Sequence, residues 1–217
     1  MSKLIWDQTG EKLYETGVEQ VALYPQVGGA YPAGAAWNGV TALNLTPSGG
    51  EPTALWANNR KYLTLMSAEE LGGTIEAYTY PKEWEACDGS AELVEGVTLG
   101  QQPRSTFGLV AKTMIGNDTD LNKHGYKLHI IYGALASPSE KAYSTINESP
   151  EVEPMSWEFT TTPVEVTGHQ PTSYICIDST KVDKSKLEAL EAVLYGSESE
   201  EARLPLPAEI ATMLKTA

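Results

Sequence analysis

The sequence predicts a mainly β protein, a sandwich or barrel with one flanking helix and a long antiparallel arm. Three observations carry that expectation. First, residues 154–178 read as two strands, 155–162 and 172–178, around the turn Gly168-His169-Gln170-Pro171. Met155, Trp157 and Phe159 alternate with Ser156, Glu158 and Thr160, while Ile175 and Ile177 alternate with Tyr174, Cys176 and Asp178. A period of two separates the faces of a strand. This pair is expected at the centre of the sheet. Second, residues 106–115 and 126–134 alternate in the same way and form the clearest hairpin, joined by an Asn- and Asp-rich link at 116–125. Third, after Asp178 the period switches. Leu187, Leu190, Val193 and Leu194 fall on one helical stripe, with Asp183 as N-cap and Gly196 as the stop, so a helix is expected over about 183–195.

The remaining elements follow in chain order. Residues 6–32 read as irregular, with short strand pieces at 13–17 and 18–25, because Gly28, Gly29, Pro32 and Gly34 interrupt anything longer. Residues 40–46 form a strand that stops at Pro47-Ser48-Gly49-Gly50-Glu51-Pro52. Residues 53–57, Asn58-Asn59 and 61–66 then complete a long antiparallel arm over about 37–66. Trp56 lies beside Asn58, Asn59 and Arg60 near the tip. It either caps the core or makes a protein contact, for which Trp and Arg are the favoured anchors. Residues 73–80 are the next strand, with Ile75, Ala77 and Thr79 on one face. Pro81 opens a short helical turn through Cys87. Residues 138–154 read as a polar surface connection with an edge strand at 141–146, and 207–215 as a short terminal helix.

With 217 residues, 41% of them hydrophobic, the chain can build one domain around one substantial core. Its two cysteines, Cys87 and Cys176, are distant in sequence and fit a reducing compartment at least as well as an oxidising one. Residues 1–8 hold no apolar run of a signal sequence, and no stretch reaches the roughly 20 apolar residues of a membrane span. The expectation is a soluble chain. Its net charge is −14, which opposes binding to nucleic acid and favours either solubility or a surface that does not hold a polyanion.

A search for chemistry returns little. Asp118, Asp120 and Asn122 open like a calcium loop, but Lys123 stands where glycine is required and His129 where a bidentate glutamate is required. A solvated hairpin loop is the preferred reading. His124, His129 and His169 lack the spacing of a zinc site. No nucleophile elbow, phosphate-cradling loop or dinucleotide fingerprint occurs. No catalytic, cofactor-binding or metal-ligating residue is assigned, which favours a structural or binding role.

Several blocks resemble a known family. They are the run from Trp6-Asp7-Gln8-Thr9-Gly10 to Val18, Ala36-Trp37-Asn38-Gly39, Leu65-Met66-Ser67-Ala68-Glu69-Glu70, Glu76-Ala77-Tyr78-Thr79-Tyr80-Pro81, Asn117-Asp118-Thr119-Asp120, His124-Gly125-Tyr126-Lys127-Leu128-His129 and the run from Trp157 to Val164. Together they resemble the major tail proteins of long-tailed phages, in the non-contractile form of phages and prophages of Gram-positive hosts. The resemblance extends from Trp6 to about Leu206. It implies two antiparallel sheets packed as a tail-tube sandwich or barrel, and hexameric rings stacked into a tube through which double-stranded DNA passes without specific binding. It also implies a virion location, with host cytoplasm during assembly. The implied partners are further copies of the chain and the tape measure, tail tip and tail terminator proteins, with no membrane, cofactor or catalysis.

On this reading the arm reaches the next subunit, and Leu55, Trp56, Asn58 and Asn59 are the expected subunit contacts. Open sheet edges would be completed by neighbouring copies. Part of the negative charge would face the bore and repel duplex phosphate over about 8 Å at physiological salt. The alternative is a β-sandwich carbohydrate-binding or adhesion module, with Trp37, Trp56 and Trp84 exposed to stack on sugars.

Overall fold

The structure, a computed structural model, describes residues 3–143, 145, 148 and 152–215. Its strands are β1 (Tyr14–Pro25), β2 (Ala35–Ala36), β3 (Val40–Gly49), β4 (Pro52–Ala57), β5 (Arg60–Met66), β6 (Glu69–Ala77), β7 (Ala91–Val94), β8 (Val97–Leu99), β9 (Phe107–Asn117), β10 (Leu121–Ala136), β11 (Met155–Thr161) and β12 (Tyr174–Asp178). The helices are α1 (Trp84–Asp88), α2 (Lys184–Tyr195) and α3 (Pro207–Leu214). The fold is mainly β and antiparallel. One sheet runs β2-β1-β9-β10-β11-β6-β3, with β12 also on β10.

The centre of this sheet is the β9–β10 hairpin, not the 154–178 pair. β11 and β12 do not form a ladder with each other; a single bridge, Val164 to Thr172, links the segments that follow and precede them. Both dock on β10, which pairs with β12 along 127–131 and with β11 along 134–136. β10 is 16 residues long, enough for two partners in succession on one edge. Gly133 marks the handover. Its φ is +58°, and a Cβ there would lie 2.2 Å from the Thr162 carbonyl oxygen. Only glycine permits that bend and that approach.

The two faces of the β1–β9–β10 region bury different cores. Leu23, Phe107, Leu109, Ala111 and Ile131 join Ile75, Trp157 and Phe159 from the β11–β6 side. The curled sheet thus packs against itself. Tyr24, Val110, Leu128, Ile130 and Tyr132 face the other way and meet Ile177, Leu187, Leu190, Leu194 and Ile210. Strands covered on both faces read as apolar along nearly every position. The first core is anchored by Trp37, Trp84 and Trp157, whose rings lie 4.6–5.7 Å apart. Such contacts add about 0.5–1.5 kcal/mol each beyond simple burial.

α2 follows the expected stripe. Asp183 caps it, its carboxylate accepting the backbone N–H groups of Ser185 at 3.0 Å and Lys186 at 3.2 Å. Leu187, Leu190 and Leu194 are buried, and Gly196 follows the last turn. α1 begins three residues beyond Pro81, because Trp84 and Glu85 first close a turn on the Pro81 and Lys82 carbonyls.

Three further sequence expectations are corrected. Residues 14–25 are one strand rather than two short strand pieces in an irregular segment. Register shifts between Thr16 and Glu19 and between Glu19 and Ala22 interrupt the alternation that would have shown it. The arm does not end at Met66. Its base is β3 paired with β6, from Val40 opposite Ala77 to Gly49 opposite Glu69, and β4–β5 is a separate hairpin beyond it. At the junction Gly49 has φ +76°, and a Cβ there would meet the Ala68 carbonyl oxygen at 2.5 Å. Lastly, Lys141, Ala142, Tyr143 and Thr145 form no strand, and Ser144 and Ile146 lie outside the described residues. Lys141 instead reaches into the body, donating to the buried Asp88 carboxylate at 2.6 Å.

Candidate functional site

Two adjacent asparagines turn the arm. Asn58 and Asn59 have φ of +50° and +61°, the left-handed pair that a two-residue hairpin turn requires and that asparagine tolerates. The turn sets Ala57 opposite Arg60, Trp56 opposite Lys61, Leu55 opposite Leu63 and Thr53 opposite Leu65. A register shift between Leu55 and Trp56 twists the end of the hairpin. The four expected contact residues are therefore brought together at one tip.

Every residue of β4 and β5 is exposed except the half-buried Ala54. Trp56 is 70% exposed and Tyr62 72% exposed, and Leu55, Leu63, Leu65 and Met66 are open beside them. Trp56 therefore does not cap the core. A two-stranded hairpin is marginal in water by itself, and this number of exposed apolar side chains makes the hairpin a candidate contact site. Tyr62, Leu63, Leu65 and Met66 are exposed on the same hairpin, Leu63 and Leu65 on the face of Leu55 and Met66 on the opposite one, and were not singled out from sequence. Their signal was the run of large apolar side chains on a limb flanked by an Asn-Asn turn. A second hairpin, β7–β8, also escaped the sequence reading. It exposes Leu93, Val94, Val97 and Leu99 around its Glu95-Gly96 turn.

A polar network occupies the sheet face beyond the first core. The Glu15 carboxylate on β1 accepts from Thr113 Oγ1 at 2.6 Å, from Lys127 Nζ, and lies 3.1 Å from His129 Nε2. His129 Nδ1 is 2.6 Å from the Tyr174 hydroxyl. Burial raises the Glu15 carboxyl, but Lys127, Thr113 and His129 outweigh it and hold the group below its ordinary value. Burial depresses His129, against the opposing pull of Glu15. The network joins β1, β9, β10 and β12 and needs no ligand to be satisfied.

The other side chains weighed from sequence are dispersed. Asn117 is buried and organises the tight 118–120 turn, accepting from the backbone N–H groups of Thr119 and Asp120. Its amide also donates to Asp120 and approaches His124, while Asp118 accepts the Gly10 N–H at 2.9 Å. The carboxylates that opened like a calcium loop are thus engaged as a hairpin turn. Among the described residues no group of three or more His, Cys, Asp or Glu is placed to hold a metal ion. His169 is exposed in its turn. Cys87 is buried, its thiol pushed up to about 12 chiefly by burial, whereas Cys176 is exposed, and both are free. No described helix is long and apolar enough to cross a membrane. Trp37 and Trp84 are buried rather than exposed. Neither a scan against family models nor a search of curated proteins returns a match.

Proposed function

We propose that the chain is a structural, non-enzymatic virion subunit that assembles head to tail into stacked hexameric rings, forming the tail tube of a long-tailed, non-contractile phage. The observation that carries this reading is the arm tip, an apolar hairpin with Trp56 and Tyr62 open to solvent beyond the sheet. Such a surface is costly in a monomer and useful in a repeating contact. The sheet adds a second argument. β3 and β12 each pair on one side only among the described residues, leaving edges that further copies can complete. The sequence blocks resembling major tail proteins supply the ring and the conduit. A net charge of −14 suits a bore through which DNA slides rather than sticks.

Of the three tryptophans that the carbohydrate-binding alternative needs at the surface, Trp37 and Trp84 lie inside the core and Trp56 is exposed.

The test is Trp56→Ala. The substitution touches no buried contact, so unfolding stability should stay within about 0.5 kcal/mol of wild type. Self-association, read by sedimentation and by electron microscopy, should be lost. Tubes of normal length from a folded Trp56→Ala protein would overturn the proposal.

A further inference from the structure

One concave surface on the same chain is opposite in charge to the arm tip and has apolar residues in its walls. The register shifts of β1 near Gln20, whose φ is +50°, and the two-residue length of β2 leave a groove between the β1 edge and the C-terminal end of α2. Its volume is about 590 Å³, and its walls include Val18, Val21, Ala35, Ala36, Leu194 and Tyr195. That is ample for an aromatic side chain. Tyr195 contributes to the wall, and its hydroxyl is buried without a hydrogen-bond partner among the described residues. Tyr195 and Ala202 also border an adjoining hollow formed by the loop that carries Glu198, Glu200 and Glu201.

Charge separates the two surfaces. The tip hairpin, β4 to β5, contains Arg60 and Lys61 and no acidic residue. The loop beside the groove, residues 196–202, contains three glutamates and no basic residue. All five charged side chains belong to exposed residues. Arg60 and Lys61 flank Trp56 across the hairpin as the glutamates flank the groove.

We infer that the arm tip of one copy seats in this groove on a second copy, with the Trp56 and Tyr62 rings against the apolar walls and Arg60 and Lys61 against Glu198, Glu200 and Glu201. The inference rests on the self-assembly reading above and adds the receptor surface to it. A chain cannot fill its own groove. Val40, at the start of β3, lines it, and the Trp56 and Tyr62 side chains of the same chain stand exposed to solvent rather than in it. The contact joins two different surfaces, so it is head to tail and propagates from copy to copy.

Two measurements on the full chain at high concentration test it. In the first, Tyr62 is replaced by a photo-crosslinking phenylalanine derivative, and isotopically light and heavy chains are mixed so that crosslinks between copies are identified by mass. Crosslinks to 18–21, 35–38 or 194–202 of the other copy are expected. Crosslinks between copies at any other surface overturn the groove assignment and leave self-assembly standing. Absence of any crosslink between copies of a chain that also fails to sediment as an assembly overturns both. In the second, Arg60→Glu with Lys61→Glu, and separately Glu200→Lys with Glu201→Lys, should each weaken association roughly tenfold or more. Combining all four substitutions should restore it to near wild type. If the combined variant is no better than the singly reversed ones, the charge pairing is refuted. Circular dichroism of each variant identifies any that fail to fold, for which the crosslinking result decides.

Discussion

Glu15 and His129 face each other across the sheet, with Thr113, Lys127 and Tyr174 completing the network and Cys176 and Asp178 on the same face of β12. Both groups are depressed in the folded protein, from ordinary values of 4.5 for Glu15 and 6.5 for His129. The folded state then binds fewer protons than the unfolded state, and stability rises with pH wherever that holds. The contribution of His129 is present above its ordinary value and is lost as pH falls from about 6.5 through its lowered folded value. That of Glu15 is lost in a second window below about 4.5. Urea midpoints measured from pH 7 to 3 should decline in both windows. His129→Gln should flatten the upper one and leave the lower. An unchanged upper slope in that variant would show that His129 does not titrate with folding.

The residue scale also shows what one sequence makes legible. Alternation at Met155, Trp157 and Phe159 correctly marks the inward face, because a strand's own backbone fixes it. Trp37 and Trp84 are different. Flanked by Asn38 and Gly39, or by Glu83 and Glu85, they read as surface residues, yet both are buried. Their burial is decided by Trp157, more than 70 positions away in sequence, and no local pattern reports it.

At the scale of elements, α2 is the most self-contained. Its cap, stripe and stop are local, and all three were readable. Asp183→Ala removes the cap and should lower the thermal midpoint, with the tip surface unaffected. No loss of stability would mean that the Ser185 and Lys186 amides find other partners. Strand partnership was less readable. The sequence of β11 and β12 carries their faces but not their neighbour, since both lie on β10 and the bend that admits them is at Gly133. β1 was obscured for a related reason: its register shifts break the period by which strands are recognised. The arm was legible at its tip through Asn58 and Asn59, while its true base required knowing that β3 pairs with β6.

For the whole molecule, the candidate site follows from what the fold leaves uncovered. Two cores lie on opposite faces of one curled sheet and account for the large buried side chains. The β4–β5 tip and the β7–β8 hairpin remain outside, and β3 and β12, though packed on the cores, each keep one unpaired edge among the described residues. Leu55, Trp56, Asn58 and Asn59 were legible as one cluster because they crowd a single turn. The groove proposed to receive them was not, since it joins β1, β2 and the end of α2, which are far apart in sequence. Whether copies of the chain complete these surfaces is answered most directly by electron microscopy of the purified wild-type protein, alone at high concentration and with a tail-tip nucleator. Hollow tubes of stacked rings, with arm tips bridging neighbouring copies, are the expected result. A protein that remains a dispersed monomer under both conditions would contradict the tube assignment.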